Sequence, residues 1–302
     1  MSFSLKPFVD AVASESLCLN GVVVLQHGVE IARHHWTPEV PQNQYSATKS
    51  FTATAVGMAV KEGLMDLEEP VLPIFPGEAP AEPSAFLKNL RVKHLLTMTL
   101  GHDRALLMGG DREKLEEQNW VRYALNQPLV YEPGTHYCYN NAGPYLAGVI
   151  LEKRAGTTLL DYLMPRLFDP LDIPRPVWEV CPMGHTFGAG GMFLTVSNLA
   201  KFGQLYLQNG NWKGAQLVPE DWTRAVGKVQ VPFDPSVKAI TIGYGYLFWV
   251  SPDGVFRADG KFGQYSIVVP KADAVIAINS TEEKKTGMIL ELVGRELLSQ
   301  LR

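Results

Sequence analysis

Ser46 and Lys49 stand three residues apart in the run Ser46-Ala47-Thr48-Lys49. If a helix starts at or just before Ser46, side chains at this spacing leave the same face. A serine hydroxyl is a weak nucleophile until a base takes its proton, and a lysine is that base only when burial or nearby positive charge lowers its pKa. From Ser46 to Val60 the chain is small or apolar on nearly every face, with Gly63 placed to end the segment, which predicts a buried helix. With 13 serines and 15 lysines in 302 residues, such a pair arises by chance about once or less, so the spacing alone is weak. The plainer alternative makes Ser46 a helix N-cap and Lys49 a first-turn surface residue. Lysine is electrostatically disfavoured at a helix N-terminus, which tilts the reading toward chemistry.

Two further groups fit around that pair. After Glu132-Pro133-Gly134, the sequence places Tyr139 and Asn141 just before a helical pattern. A phenol beside a cationic amine has its phenolate favoured, so Tyr139 is a candidate to share the proton with Lys49, and Asn141 to orient Lys49 or a substrate amide. Tyr137 competes for the same role. The segment Asp259-Gly260-Lys261-Phe262-Gly263-Gln264 precedes an apolar strand; a glycine-flanked strand edge admits close approach of a substrate and points N–H groups at a developing oxyanion. An ordinary hairpin is the plainer reading of that segment. His94, His102 and His136 match no metal-ligand spacing, and Cys18, Cys138 and Cys181 are odd in number and widely separated, so no metal, no cofactor and no disulfide framework is expected.

These residues need a frame. Residues 19–36 read as a hairpin around His27-Gly28. Residues 66–225 are dominated by helical patterns between Pro- and Gly-rich loops, and the loops of about 103–130 and 211–240 are expected to line the site. Short strands follow in GYGYLFWV, VFRAD, GQYSIVVP and AVIAINS, with turns at Ser251–Gly254 and Lys271–Asp273, before a closing helix. This predicts an α+β fold, an antiparallel sheet flanked by helices with a mostly helical inserted lobe. A single catalytic domain spans 1–302, its sheet lobe formed by about 1–65 and 226–302 and its helical lobe by about 66–225.

In order and approximate spacing, the three groups resemble the serine beta-lactamase and penicillin-binding-protein superfamily, most nearly its class C beta-lactamase-related branch of esterases, amidases and D-amino-acid peptidases. GLMDLEEPV, VKHLLTMTLGH, YEPGTHYCYNNAGPYLAGVI, LFDPLDI and GAGGMFLTVSNLAKFGQLYLQNG extend the likeness over most of the chain. The resemblance implies a beta-lactamase/transpeptidase-like fold. It implies that Ser46 is acylated, and that Lys49 and Tyr139 act together as base and then acid. Asn141 then closes the Tyr-x-Asn motif, Lys261, Phe262 and Gly263 match the third motif, and the N–H groups of Ser46 and Gln264 form the oxyanion hole. Two departures stand out. Phe262 replaces the threonine that helps hold a beta-lactam carboxylate in true beta-lactamases, and Met98 replaces a common histidine.

Composition narrows the function. With 46% hydrophobic and 19% charged residues the chain builds a sizeable core, and at a net charge of −4 it shows no basic stripe to follow a nucleic acid. No segment reads as a membrane span or secretory signal, so a cytoplasmic protein is expected. The expectation is a serine hydrolase of small esters, amides or D-amino-acid peptides with weak or no beta-lactamase activity. The alternative is an acylatable sensor or a non-catalytic homologue.

Overall fold

The computed structural model describes residues 3–234 and 240–301. Its frame is an eight-stranded antiparallel sheet. In chain order the strands are β1 (Leu19–Gln26), β2 (Val29–His35), β3 (Val231–Pro232), β4 (Gly243–Tyr244), β5 (Trp249–Val250), β6 (Phe256–Gly260), β7 (Gln264–Val269) and β8 (Ala274–Ser280). Their spatial order is β2-β1-β8-β7-β6-β5-β4-β3. The N-terminal hairpin therefore joins the C-terminal strands through β1 and β8, pairing Val22 with Ile278 and Val24 with Ile276. His27 and Gly28, the expected turn, both have positive φ (52° and 75°), the conformation that matches the twist of a tight hairpin.

Alternation along the strands sends side chains to two cores. On one face Val22, Val24, Ile267, Ile276 and Ile278 meet Phe8, Val12, Ile289 and Leu292, from helices α1 (Lys6–Ser14) and α5 (Thr286–Leu292). On the other, Val23, Val268 and Ala277 join the larger core built by the helices between the two sheet segments. There α2 (Thr48–Lys61) and α3 (Ala142–Ala155) are buried along nearly their whole length. Helix α4 (Val196–Leu207), although inside the stretch read as the helical lobe, lies directly on the sheet: a Cβ at Gly203 would come within 2.5 Å of Val275. The closing helix is not uniform; after Leu292 it loosens into a π turn over Val293–Leu297 and ends in a 3-10 turn. Among the described residues no helix is long and apolar enough to cross a membrane.

Candidate active site

Ser46 lies in a 3-10 turn, Tyr45–Ala47, that runs straight into α2. The helix N-cap is Ala47, so Ser46 is not the capping side chain of the plainer reading. Its approach is tightly held. Gln44 is fully buried, takes the Met192 carbonyl with its backbone N–H at 2.7 Å, and donates its side-chain amide to the carbonyls of Gln42 and Leu194, both at 2.8 Å. Tyr45 adopts φ 45°, a left-handed conformation costly for a non-glycine residue, with its N–H on Asn43 Oδ1.

From α2, polar residues that looked merely small in the sequence grip the facing segment 188–192. Thr52 donates to the Gly188 carbonyl at 2.7 Å, Lys49 to the Ala189 carbonyl at 2.7 Å, and Thr48 Oγ1 accepts from the Met192 N–H. The Lys49 amine also lies 2.9 Å from Ser46 Oγ, while its side chain is 1% exposed. Burial holds the Lys49 amine well below the usual lysine range, and the charge of Arg112 adds to the effect.

Tyr139 closes the centre from the loop before α3. Its hydroxyl is close enough to Ser46 for that side chain to act on its ionisation, its ring stacks on Trp249 at 5.7 Å, and the Lys49 nitrogen lies 5.0 Å from the ring centroid. Burial pushes the phenol above its ordinary value; the Ser46 contact opposes this, and Asp259 adds to it. The electrostatics thus differ from the sequence expectation of a phenolate favoured by a lysine cation. Low dielectric disfavours charge on both groups, favouring the neutral amine and the neutral phenol. Tyr137, the competitor, packs against Phe233 and Tyr244, and its buried hydroxyl has no hydrogen-bond partner among the described residues.

Asn141 occupies the N-cap position of α3 without a side-chain capping bond and is 7% exposed. Its side-chain N–H donates to the Leu107 carbonyl at 2.9 Å, while Oδ1 is buried without a partner among the described residues. Asn140, not singled out in the sequence, is fully buried: its Oδ1 accepts the Ala142 N–H and its amide meets His102 Nδ1. Met98, which departs from the family histidine, secures this loop with its carbonyl on the Cys138 N–H and its sulfur on the Asn140 N–H.

Lys261, Phe262 and Gly263 form the turn from β6 to β7. Gly260, just before it, packs on the nucleophile turn so closely that a Cβ would fall 2.2 Å from the Gln44 carbonyl and 3.2 Å from the Ala47 nitrogen. Phe262 lies edge to face with Tyr45 at 5.1 Å, and exposed Lys261 places its amine 4.6 Å from the Phe262 centroid. Gln264 is on the following strand, paired with Gly260, with its side-chain amide bonded to the Ser280 carbonyl. The end of β6 is therefore pressed against Ser46's turn.

Sequence reading also missed Ala189, whose contribution is a carbonyl and leaves no side-chain signal, and Arg112, from the 103–130 loop. Of the 211–240 loop, Phe233 reaches Tyr137 and Trp249, and residues 235–239 lie outside the described residues. Among the described residues, no three His, Cys, Asp or Glu side chains are grouped to hold a metal.

A helical serine, a buried lysine one turn on, and a tyrosine between an antiparallel sheet and a helical lobe define a beta-lactamase-fold serine hydrolase. The Beta-lactamase family model matches residues 13–291, and the chain belongs to that family. It is 25% identical over 290 residues to 6-aminohexanoate-dimer hydrolase of Paenarthrobacter ureafaciens, covering 87% of this chain and 72% of that protein. Lovastatin esterase of Penicillium rubens is 30% identical over 154 residues, 42% of this chain and 37% of that one. The octameric penicillin-binding protein homologue of Pyrococcus abyssi shares the fold at a TM-score of 0.77 and 21% identity, covering 98% of this chain and 76% of that one.

Proposed function

We propose that the protein hydrolyses small esters or amides, D-amino-acid peptides included, through an acyl-Ser46 intermediate, with little or no turnover of beta-lactams. The observation that carries this reading is the buried Lys49 amine 2.9 Å from Ser46 Oγ. As a neutral amine, Lys49 accepts the Ser46 proton while Oγ attacks the substrate carbonyl carbon. The oxyanion is received by the backbone N–H of Ser46 and by one from the Gly260–Gln264 segment, whose Gly260 end packs against this turn. The proton returns through Tyr139 to the leaving oxygen or nitrogen, the bond to the carbonyl carbon breaks, and the acyl group stays on Ser46. Water then gives its proton to the same pair, attacks the ester, and releases the acid and free Ser46.

Asn141 Oδ1, buried and unpartnered, suits a substrate N–H, which favours an acyl portion carrying an amide. Phe262 and Tyr45 put aromatic surface where a beta-lactamase threonine would offer a hydroxyl, so an apolar group is the better fit there. Lys261 adds an exposed cation at the rim. The test is a time course with nitrophenyl esters, short amides, D-amino-acid peptides and nitrocefin, with intact mass spectrometry of the enzyme. Steady turnover with a transient Ser46 adduct supports the reading. A burst without turnover would make the protein an acylatable sensor, and labelling that persists in Ser46→Ala would overturn Ser46 as the nucleophile.

A further inference from the structure

We propose that Arg112 is a positioning residue of this reaction: its enclosed guanidinium ties the wall that holds Asn141 to the wall that holds the Ala189 acceptor of Lys49, and brings a positive charge into that frame. The inference rests on the reading of Lys49 as the base.

Arg112 ends a short helical turn, Gly109–Arg112, in the loop between the helical elements. Its side chain is only 18% exposed. One nitrogen, Nη1, donates to the Leu107 carbonyl at 3.3 Å, the same carbonyl that accepts the Asn141 amide at 2.9 Å. The other, Nη2, pairs with Glu179 at 3.0 Å. Its face covers Phe187, with 4.1 Å from the guanidinium carbon to the ring centroid. Glu179 and Phe187 are themselves joined, because the Phe187 N–H donates to the Glu179 carbonyl, and the Glu179 N–H to that of Gly191. Between Phe187 and Gly191 lies Ala189, whose carbonyl receives the Lys49 amine. One guanidinium thus touches the neighbour of Asn141 on one wall and the frame of the Lys49 acceptor on the other.

The same charge acts on Lys49 directly. A second cation near a fixed one in a poorly solvated site is disfavoured, so Arg112 adds to burial in lowering the Lys49 pKa. Glu179 opposes it only in part, since that carboxylate is twice as exposed as its partner, at 36%. The other ionisable groups around the centre do not replace this role. The phenols of Tyr139 and Tyr244 are held neutral by burial, Asp259 is paired with Arg257 at 2.9 Å, and Lys261 points its amine over Phe262 at the surface.

The test is the pH dependence of Ser46 labelling by a fluorophosphonate, followed by intact mass in wild type, Arg112→Gln, Arg112→Lys and Glu179→Gln. The acid limb, set by loss of the Lys49 proton, is expected to move up by about one pH unit in Arg112→Gln. It should stay in place in Arg112→Lys, and move down in Glu179→Gln. A purely structural role would lower the rate and leave the limb where it was; an unmoved limb in both Arg112→Gln and Glu179→Gln overturns the proposal. If Arg112→Gln does not fold, Glu179→Gln decides alone. Labelling of Lys49→Ala at the wild-type rate and pH dependence would instead overturn the assignment of Lys49 as base.

Discussion

Lys49 places its amine 2.9 Å from Ser46 Oγ while remaining 1% exposed, so the proposed base reaches the proposed nucleophile from inside the core rather than from a solvated helix end. Ser46→Ala is expected to abolish adduct formation. Lys49→Ala and Tyr139→Phe should each lower acylation by about 10² or more, the usual scale for losing a general base or acid. Single-turnover labelling followed by mass spectrometry checks all three.

The same burial makes Lys49 a liability for the fold. Its folded pKa lies below its unfolded value of about 10.4, so it costs stability at every pH below that value, more as pH falls toward the folded pKa. Lys49→Met is expected to remove activity while stabilising the protein at neutral pH by about 1 kcal/mol or more. A thermal or urea melt of the two proteins decides it: a lower midpoint for Lys49→Met contradicts the argument.

Gly260 is expected to tolerate no side chain. In Gly260→Ala the new methyl meets the Gln44 carbonyl at 2.2 Å, backbone that cannot turn aside, so β6 must draw back from the Ser46 turn. A destabilisation of about 1–3 kcal/mol is expected, together with a fall in kcat of at least about tenfold, since displacements near 1 Å disturb an aligned site. Steady-state kinetics and denaturation measured on the same preparation check both effects.

Phe262 has φ 67°, a conformation asparagine accepts more easily than most residues. Phe262→Asn therefore keeps the turn but removes the ring packed on Tyr45, a contact of about 0.5–1.5 kcal/mol. The expected result is a KM for aryl or long-chain esters raised several-fold, with kcat largely retained. Equal KM values for acetyl and aryl esters in wild type would remove the basis for assigning this surface to substrate.

Glu152 anchors the far end of the segment that carries Ala189. It accepts from the Leu159 and Thr186 N–H groups and pairs with His185 Nδ1 at 2.7 Å. Burial alone would raise its pKa, but these bonds together hold it below the ordinary glutamate value. A depressed carboxylate contributes stability above its unfolded pKa of about 4.3 that is lost as pH falls through the folded value. Glu152→Gln should cost about 1–3 kcal/mol near neutrality and flatten the loss of stability on acidification, which urea titrations across that pH range measure.

Much of the frame was legible because it rests on local rules. His27-Gly28 fits a two-residue hairpin, the apolar run after Ser46 has helical length with Gly63 at φ 73° after its end, and β7 and β8 are short, largely apolar runs bounded by turn residues, as strands buried on both faces are. The turn Lys261-Phe262-Gly263 was readable only as a place near a strand. Whether its backbone or that of Gln264 approaches Ser46 depends on which strand faces the nucleophile, a matter of sheet order between segments over 200 residues apart.

The sequence by itself determined the candidate residue types and their order: Ser46 and Lys49 one helical turn apart, Tyr139 before a second helix, a glycine-bounded strand end near the C-terminus. Spacing of that kind is carried by neighbours in the chain. Only the tertiary structure decided that Lys49 is enclosed, that its second partner is the Ala189 carbonyl, that burial holds Tyr139 as a neutral phenol, and that Arg112 braces the segment carrying that carbonyl. Those properties come from desolvation and from contacts between distant segments, and neither a backbone carbonyl nor a local dielectric leaves a mark in the residue sequence.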